Sequence, residues 1–357
     1  MKSLRSSLVS TRRFAHGLFI VISVVAMIAG AEASPRRVGL TLPLSGGLAA
    51  YGSAFRQGLQ LFQEEHPDYV RKVSFILDDS QYDGSKVVSS VRKLASVDKV
   101  DLIYVWGASP GEVAAPLAQQ LKTPMLALTV GPVAKDRPYV AAIQLPLENL
   151  KIQLIEFLRA RRIRTTGIVG TNIGAAIRLL DLVKPEMPGL AYEEIVPADL
   201  LDFRSVVTRI SHKPVEAILL LLGPAQTVPF ARQAMSQGLK VHLIGGDMLA
   251  DEALRSELLA LMGEVSYLYG RIDPAFRERY RTRFGDTSHL YEAASGYSTG
   301  LLVTQVADRL GTLSGLQFIA SLASETIVTP VGDMHFSSSA AQGVHVELKS
   351  SVYTAHD

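Results

Sequence analysis

From Val38 onward, short apolar runs rich in β-branched residues alternate with longer stretches whose apolar positions recur every three or four residues. The short runs predict strands at 38–42, 73–77, 102–106, 125–128, 167–170, 217–222 and 241–244. The longer stretches predict helices at 53–65, 85–95, 112–121, 149–161, 175–183, 204–211 and 226–238. The run Ala-Ile-Leu-Leu-Leu-Leu at 217–222 has no polar face, as expected of a parallel strand covered on both sides. Regular alternation of strand and helix predicts right-handed crossovers and a doubly wound α/β architecture. The series runs twice, over 36–144 and again over 167–269, with Gln144-Leu145-Pro146 as a crossover between the two. After Asp273-Pro274 come two more amphipathic segments, 275–284 and 292–310. The tail from Thr329 returns to short strand-like pieces, among them 344–348.

The first 33 residues follow a different pattern. Lys2, Arg5, Arg12 and Arg13 precede an apolar run from Leu18 to Ala29, and Ala31-Glu32-Ala33 then supplies a small-x-small site. This is the layout of a cleaved secretory leader, and the run is shorter than the ~20 apolar residues of an uninterrupted span. Arg12-Arg13 suits twin-arginine export, but Ala15 stands where that motif has Phe, which favours general secretion. The expected mature chain starts at Ser34.

Setting the leader aside changes the charge balance. The whole chain carries 36 basic and 34 acidic residues; without the leader 32 and 33 remain, so the small excess of positive charge belongs to the targeting segment. That balance gives no concentrated basic footprint for nucleic acid. Cysteine is absent, which excludes thiol catalysis, Cys-ligated zinc, disulfides and a lipid-anchored Cys. The remaining 324 residues are long enough to bury a core without covalent staples, in two lobes. The eight His show no HExxH spacing, and neither a P-loop nor GxGxxG is present, so no cofactor is expected.

The opening Val38-Gly39-Leu40-Thr41-Leu42-Pro43-Leu44-Ser45-Gly46, followed by Tyr51-Gly52, resembles the first strand and loop of type I periplasmic binding proteins. Within them it is similar to the leucine/isoleucine/valine-binding group of ABC-transporter substrate-binding proteins. Leu77-Asp78-Asp79, the stretch from Gly107 to Pro116, Arg232-Gln233-Ala234, Gly238-Leu239-Lys240, Ile244-Gly245-Gly246-Asp247 and Gly332-Asp333-Met334-His335-Phe336 continue the resemblance in order. It implies two Rossmann-like lobes joined by a three-crossover hinge, with a ligand held between them. Lobe 1 would be 34–144 plus 273–328, and lobe 2 would be 145–272 plus 329–357. The implied partners are a small-molecule ligand and the membrane permease of an ABC transporter, with the receptor acting as a periplasmic monomer.

Open α/β sheets bind ligands beyond the carboxyl ends of their strands, and loop amides at helix N-termini there hold anionic groups. On that ground Ser45, Tyr51, Trp106, Ser109, Gly111 and Thr129 are candidate ligand contacts from the first lobe, and Asn172, Gln226 and Asp247 from the second. Asp247 aligns with the acid that, in the amino-acid-binding group, pairs with the ligand ammonium. The chain departs from that group where aromatic residues are usual, carrying Ile173 and Pro224-Ala225-Gln226 instead. Gly107-Ala108-Ser109-Pro110-Gly111 also spells the G-x-S-x-G of a hydrolase elbow, and Asp247 and His289 follow in triad order. Pro110 stands where the oxyanion donor must be and has no N–H, so Ser109 is expected to bind and not to attack. The expected function is capture of an amino acid or a related small organic acid or amide. A ligand-sensing regulator on the same fold and a serine esterase are the alternatives.

Overall fold

A computed structural model describes residues 35–145, 147–172, 174–285, 287–348 and 350–354. In chain order the strands are β1 (Arg36–Leu42), β2 (Val73–Asp79), β3 (Leu102–Trp106), β4 (Met125–Thr129), β5 (Val140–Gln144), β6 (Thr166–Thr171), β7 (Leu190–Val196) and β8 (Ala217–Leu221). There follow β9 (His242–Gly245), β10 (Val265–Gly270), β11 (Thr326–Ile327), β12 (Met334–His335), β13 (Ser337–Ser339), β14 (Gly343–Glu347) and β15 (Ser350–Thr354). The main helices are α1 (Ala49–Glu65), α2 (Gly84–Arg92), α3 (Ala108–Leu121), α4 (Leu147–Ala160), α5 (Gly174–Val183) and α6 (Arg204–Ser211). After them come α7 (Pro224–Ser236), α8 (Glu252–Met262), α9 (Pro274–Phe284), α10 (Leu290–Leu310) and α11 (Gly315–Leu322).

Two sheets result. The first runs β13-β14-β5-β4-β3-β1-β2 and the second β15-β10-β9-β8-β6-β7. All neighbours are parallel except the terminal pairs β13–β14 and β10–β15. The interior strands are apolar on both faces because both faces are covered. In β3, Leu102, Tyr104 and Trp106 join one core layer while Ile103 and Val105 join the other. Similarly, Ile218 and Leu220 of β8 face one layer and Ala217, Leu219 and Leu221 the opposite one. A side-chain period of two therefore distributes each run between two layers.

The chain crosses between sheets after β5, after β10 and after β14. The tail, expected wholly in the second lobe, divides. Val344–Glu347 pair with Ala141–Gln144 at the edge of the first sheet, and only β15 joins the second, beside β10. Strands β5, β7 and β10 were not predicted. β5 is Val-Ala-Ala-Ile-Gln, whose paired alanines weaken the strand signal, and β7 carries Glu193 and Glu194 on an edge.

Helix α10 lies unusually close to α1. A Cβ on Gly58 would overlap the carbonyl of Ala293, and one on Gly296 would overlap the carbonyl of Phe55. This brings the N-terminal turns of both helices, carrying Tyr51 and Tyr291-Glu292, to the same end of the first sheet. Among the described residues no helix is long and apolar enough to cross a membrane.

Candidate functional site

A cavity of about 310 Å³ lies where the C-terminal ends of the strands of both sheets converge. Trp106 closes β3 there, Leu128 stands near the end of β4, and Leu145 follows β5. From the other sheet come Thr171, Leu221, Gly246 and Gly270, at or just beyond the ends of β6, β8, β9 and β10. Leu147, Leu150 and Leu179 add an aliphatic wall from α4 and α5, and Tyr51, Tyr82, Tyr269 and Tyr291 add aromatic faces. Glu292, 6% exposed, brings a carboxylate. No Lys, Arg or His is among the described lining residues.

The aromatic wall is built in two pieces. Trp106 lies 5.8 Å from Tyr51, tilted, and 5.8 Å from Tyr82, edge-on. Tyr51 lies 4.3 Å from the His289 ring, tilted against it, and the left-handed backbone of His289 (φ 53°) precedes α10. Across the cavity Tyr269 and Tyr291 lie 5.8 Å apart, and the Tyr291 amide donates to the Tyr269 hydroxyl at 2.6 Å. Gly270 permits this, because a Cβ there would overlap the Tyr291 ring. The indole Nε1 of Trp106 is buried without a hydrogen-bond partner.

Tyr82 is positioned by the loop before it. The Asp79 carboxylate accepts from the Leu44 amide at 2.8 Å, the Gln81 amide at 3.0 Å and the Ser45 hydroxyl at 2.5 Å. Burial opposes ionisation of Asp79, but these donors outweigh it and hold the carboxyl below its ordinary range. Gln81 and Tyr82 both take left-handed backbone, φ 48° and 59°, which turns the Tyr82 ring over Gly107. Gly107 itself has φ 108°, and a Cβ on it would overlap that ring, so two requirements meet at one glycine. The Tyr82 oxygen then lies near the amides of Ala108 and Ser109 and the Ser109 hydroxyl, at the N-terminus of α3, and these groups favour its ionised form. Burial nonetheless pushes the phenol's pKa up, so the hydroxyl stays protonated.

The periplasmic binding protein model matches residues 35–346. The chain belongs to the periplasmic binding protein family. Such proteins bind solutes and are not enzymes. By sequence, no curated protein matches it. Its fold is that of the branched-chain amino acid transporter substrate-binding protein of Streptococcus pneumoniae, determined with isoleucine (TM-score 0.75, 18% identity, covering 90% of this chain and 95% of that one). It is likewise that of an ABC-transporter solute-binding protein from Rhodopseudomonas palustris determined with 3,4-dihydroxybenzoic acid (0.74, 21%, 90% and 93%). A third solved relative, also from R. palustris, holds 4-hydroxybenzoate (0.74, 18%, 90% and 92%).

Of the residues singled out in the sequence, this binding protein brings Tyr51 and Trp106 to the cavity wall. The others are placed differently among the described contacts. Ser45 is held by Asp79, and Ser109 is exposed beside the Tyr82 hydroxyl. Gly111 lies within α3, its amide donating to the Gly107 carbonyl at 2.8 Å, because the helix begins four residues earlier than its apolar pattern suggested. Pro110 is accommodated in that first turn, where a missing N–H has no partner to lose. Thr129 is buried, with its hydroxyl 3.4 Å from the Gly131 amide. Asn172 is exposed beside the lining Thr171. Gln226 is a clamp: its Oε1 accepts from the Gly223 amide at 3.2 Å and its Nε2 donates to the carbonyls of Pro197 and Leu200 at 2.9 and 3.0 Å. Asp247 opens a short turn after the lining Gly246, but its side chain, like all of Ile173, lies outside the described residues.

Sequence reasoning missed Tyr82, Tyr269, Tyr291 and Glu292. Tyr82 and Tyr269 had a usable signal, since Tyr82 follows β2 and Tyr269 stands near the end of β10, each at the C-terminal end of a strand as Trp106 is.

Proposed function

We propose that this protein captures a small, largely apolar solute in the periplasm and presents it to the permease of an ABC transporter. The observation that carries this reading is the cavity whose walls come from the strand ends of both sheets and whose volume suits a small organic molecule. A ligand touching both sides favours the arrangement in which they approach, and that arrangement is what a membrane partner can recognise. The relatives determined with isoleucine and with hydroxybenzoates support a small organic solute, an amino acid or a related acid or amide. The leader would be removed after Ala33, leaving a monomer that starts at Ser34.

Thermal-shift screening of amino acids, aromatic acids, amines and amides tests the reading. A true ligand at 100 times its dissociation constant adds about 2.7 kcal/mol of stability and raises the melting temperature. Recovery of the protein only in the membrane fraction, with its leader intact, would contradict the periplasmic part. A complete absence of stabilising small molecules would contradict the binding part.

A further inference from the structure

The two sides of the cavity differ in kind. On the side of the second sheet the described wall is nearly continuous hydrocarbon: Leu147 and Leu150 of α4, Leu179 of α5, Leu221 and Leu222 at and just beyond the end of β8, and Leu268 of β10. Leu147, Leu179, Leu221 and Leu268 belong to one core layer of the second sheet, and Leu150 packs against it. The cavity therefore opens onto that layer, and a solute lodged there extends a hydrophobic core.

The few polar groups described on this side are already engaged. The Thr171 hydroxyl donates to the Leu221 carbonyl at 3.4 Å, and the Tyr269 hydroxyl accepts from the Tyr291 amide at 2.6 Å. The Gly223 amide donates to Gln226 Oε1, and Gln226 turns its Nε2 to the carbonyls of Pro197 and Leu200. Among the described lining residues of this side none is charged. A ligand hydroxyl brought here gives up water without gaining a good partner, which costs affinity. Each methylene buried here instead improves binding about fourfold.

The side of the first sheet is different. There the Trp106 side chain, 9% exposed, carries an indole Nε1 that is buried and has no acceptor in the protein. An unpaired buried donor is costly, so the oxygen atoms of a ligand are favoured on this side.

Resting on the solute-binding reading, we propose that the cavity selects solutes whose polar atoms all lie at one end. That end turns to the first sheet. The other end, an aryl or branched alkyl group, enters the leucine wall, where Leu147, Leu150 and Leu179 set the specificity. Solutes polar at both ends, such as sugars, dicarboxylates and phenols with a distal hydroxyl, are rejected by the same wall.

Matched pairs that differ by one distal hydroxyl test this whatever charge the head carries. Isothermal titration calorimetry compares L-phenylalanine with L-tyrosine, 3-phenylpropanoate with 3-(4-hydroxyphenyl)propanoate, and 3-phenylpropanamide with its 4-hydroxyphenyl counterpart. In every pair that binds, the hydroxyl is expected to weaken affinity about fivefold or more. Leu150→Asn places a hydrogen-bonding group on the wall and should shrink that ratio about threefold or more. Equal or tighter binding of the phenol to the native protein overturns the assignment while leaving solute binding intact, and this comparison stands even if the variant does not fold. An unchanged ratio in a folded Leu150→Asn protein overturns the placement of the tail against α4. If none of the six compounds binds, the best ligand of the wider screen decides. Polar atoms confined to one end support the proposal, and polar atoms at both ends overturn it. If no compound binds in either experiment, both readings fall together.

Discussion

At the scale of single residues, the informative groups are those whose surroundings decide their charge. His242, 7% exposed at the start of β9, has Nε2 3.0 Å from the Ser266 hydroxyl and Nδ1 2.9 Å from the Glu264 carboxylate. The ion pair would raise its pKa, but Glu264 is mostly exposed and solvent weakens its pull; burial prevails and lowers the pKa, with Arg161 adding to the effect. The folded protein therefore resists protonation that the unfolded chain accepts. Below the ordinary histidine value of 6.5 the unfolded state binds more protons, so stability falls with pH from there toward the lowered folded pKa. Between pH 7 and pH 5 the melting temperature should fall more steeply for the native protein than for His242→Gln. Parallel curves would remove His242 from the account. Glu292 shows the limit of reading single residues: at the head of an amphipathic helix a Glu reads as a solvated cap, and only the neighbouring sheet makes it a cavity wall.

At the scale of elements, α1 and α10 show how glycine spacing sets helix approach. Gly296 faces the backbone of Phe55, which cannot move aside without moving α1, whereas Gly300 faces the side chain of Phe62. Gly296→Ala should destabilise the protein by about 1–3 kcal/mol, as overpacking does, and Gly300→Ala by less because a ring can tilt. Denaturant titration of the two variants measures the difference, and a larger loss for Gly300→Ala would contradict this account of the contact. The strands tell a related story. The 217–222 run was legible because complete burial leaves a continuous apolar string. β7 was not, because an edge strand keeps polar positions such as Glu193 that look like a loop.

At the scale of the whole molecule, the two lobes meet in an ion pair as well as around the cavity. Arg178 of α5 reaches over Gly131 and bonds Glu112 of α3, both side chains about 40% exposed. Exposed pairs contribute at most about 1 kcal/mol, too little to lock the lobes together. Arg178→Ala should speed ligand release roughly two- to fivefold in stopped-flow measurements at low salt, and the difference should shrink in 1 M salt through screening. Equal release rates at low salt would show that the pair bears none of the load between the lobes.

The sequence by itself determined the architecture, because burial on both faces writes itself into apolar runs, and alternation of strand and helix leaves few ways to wind a chain. It also pointed to the strand ends where the cavity lies, and to Tyr51 and Trp106, which line it. The tertiary structure alone decided how the polar groups at that edge are used. Ser45 and Gln226 are suitable ligand donors by type, but each has a protein partner brought to it from another segment: Asp79, and the carbonyls of Pro197 and Leu200. Hydrogen-bond partners distant in sequence leave no periodic trace, so the loops had to be folded before those residues could be told from the ones that face the cavity.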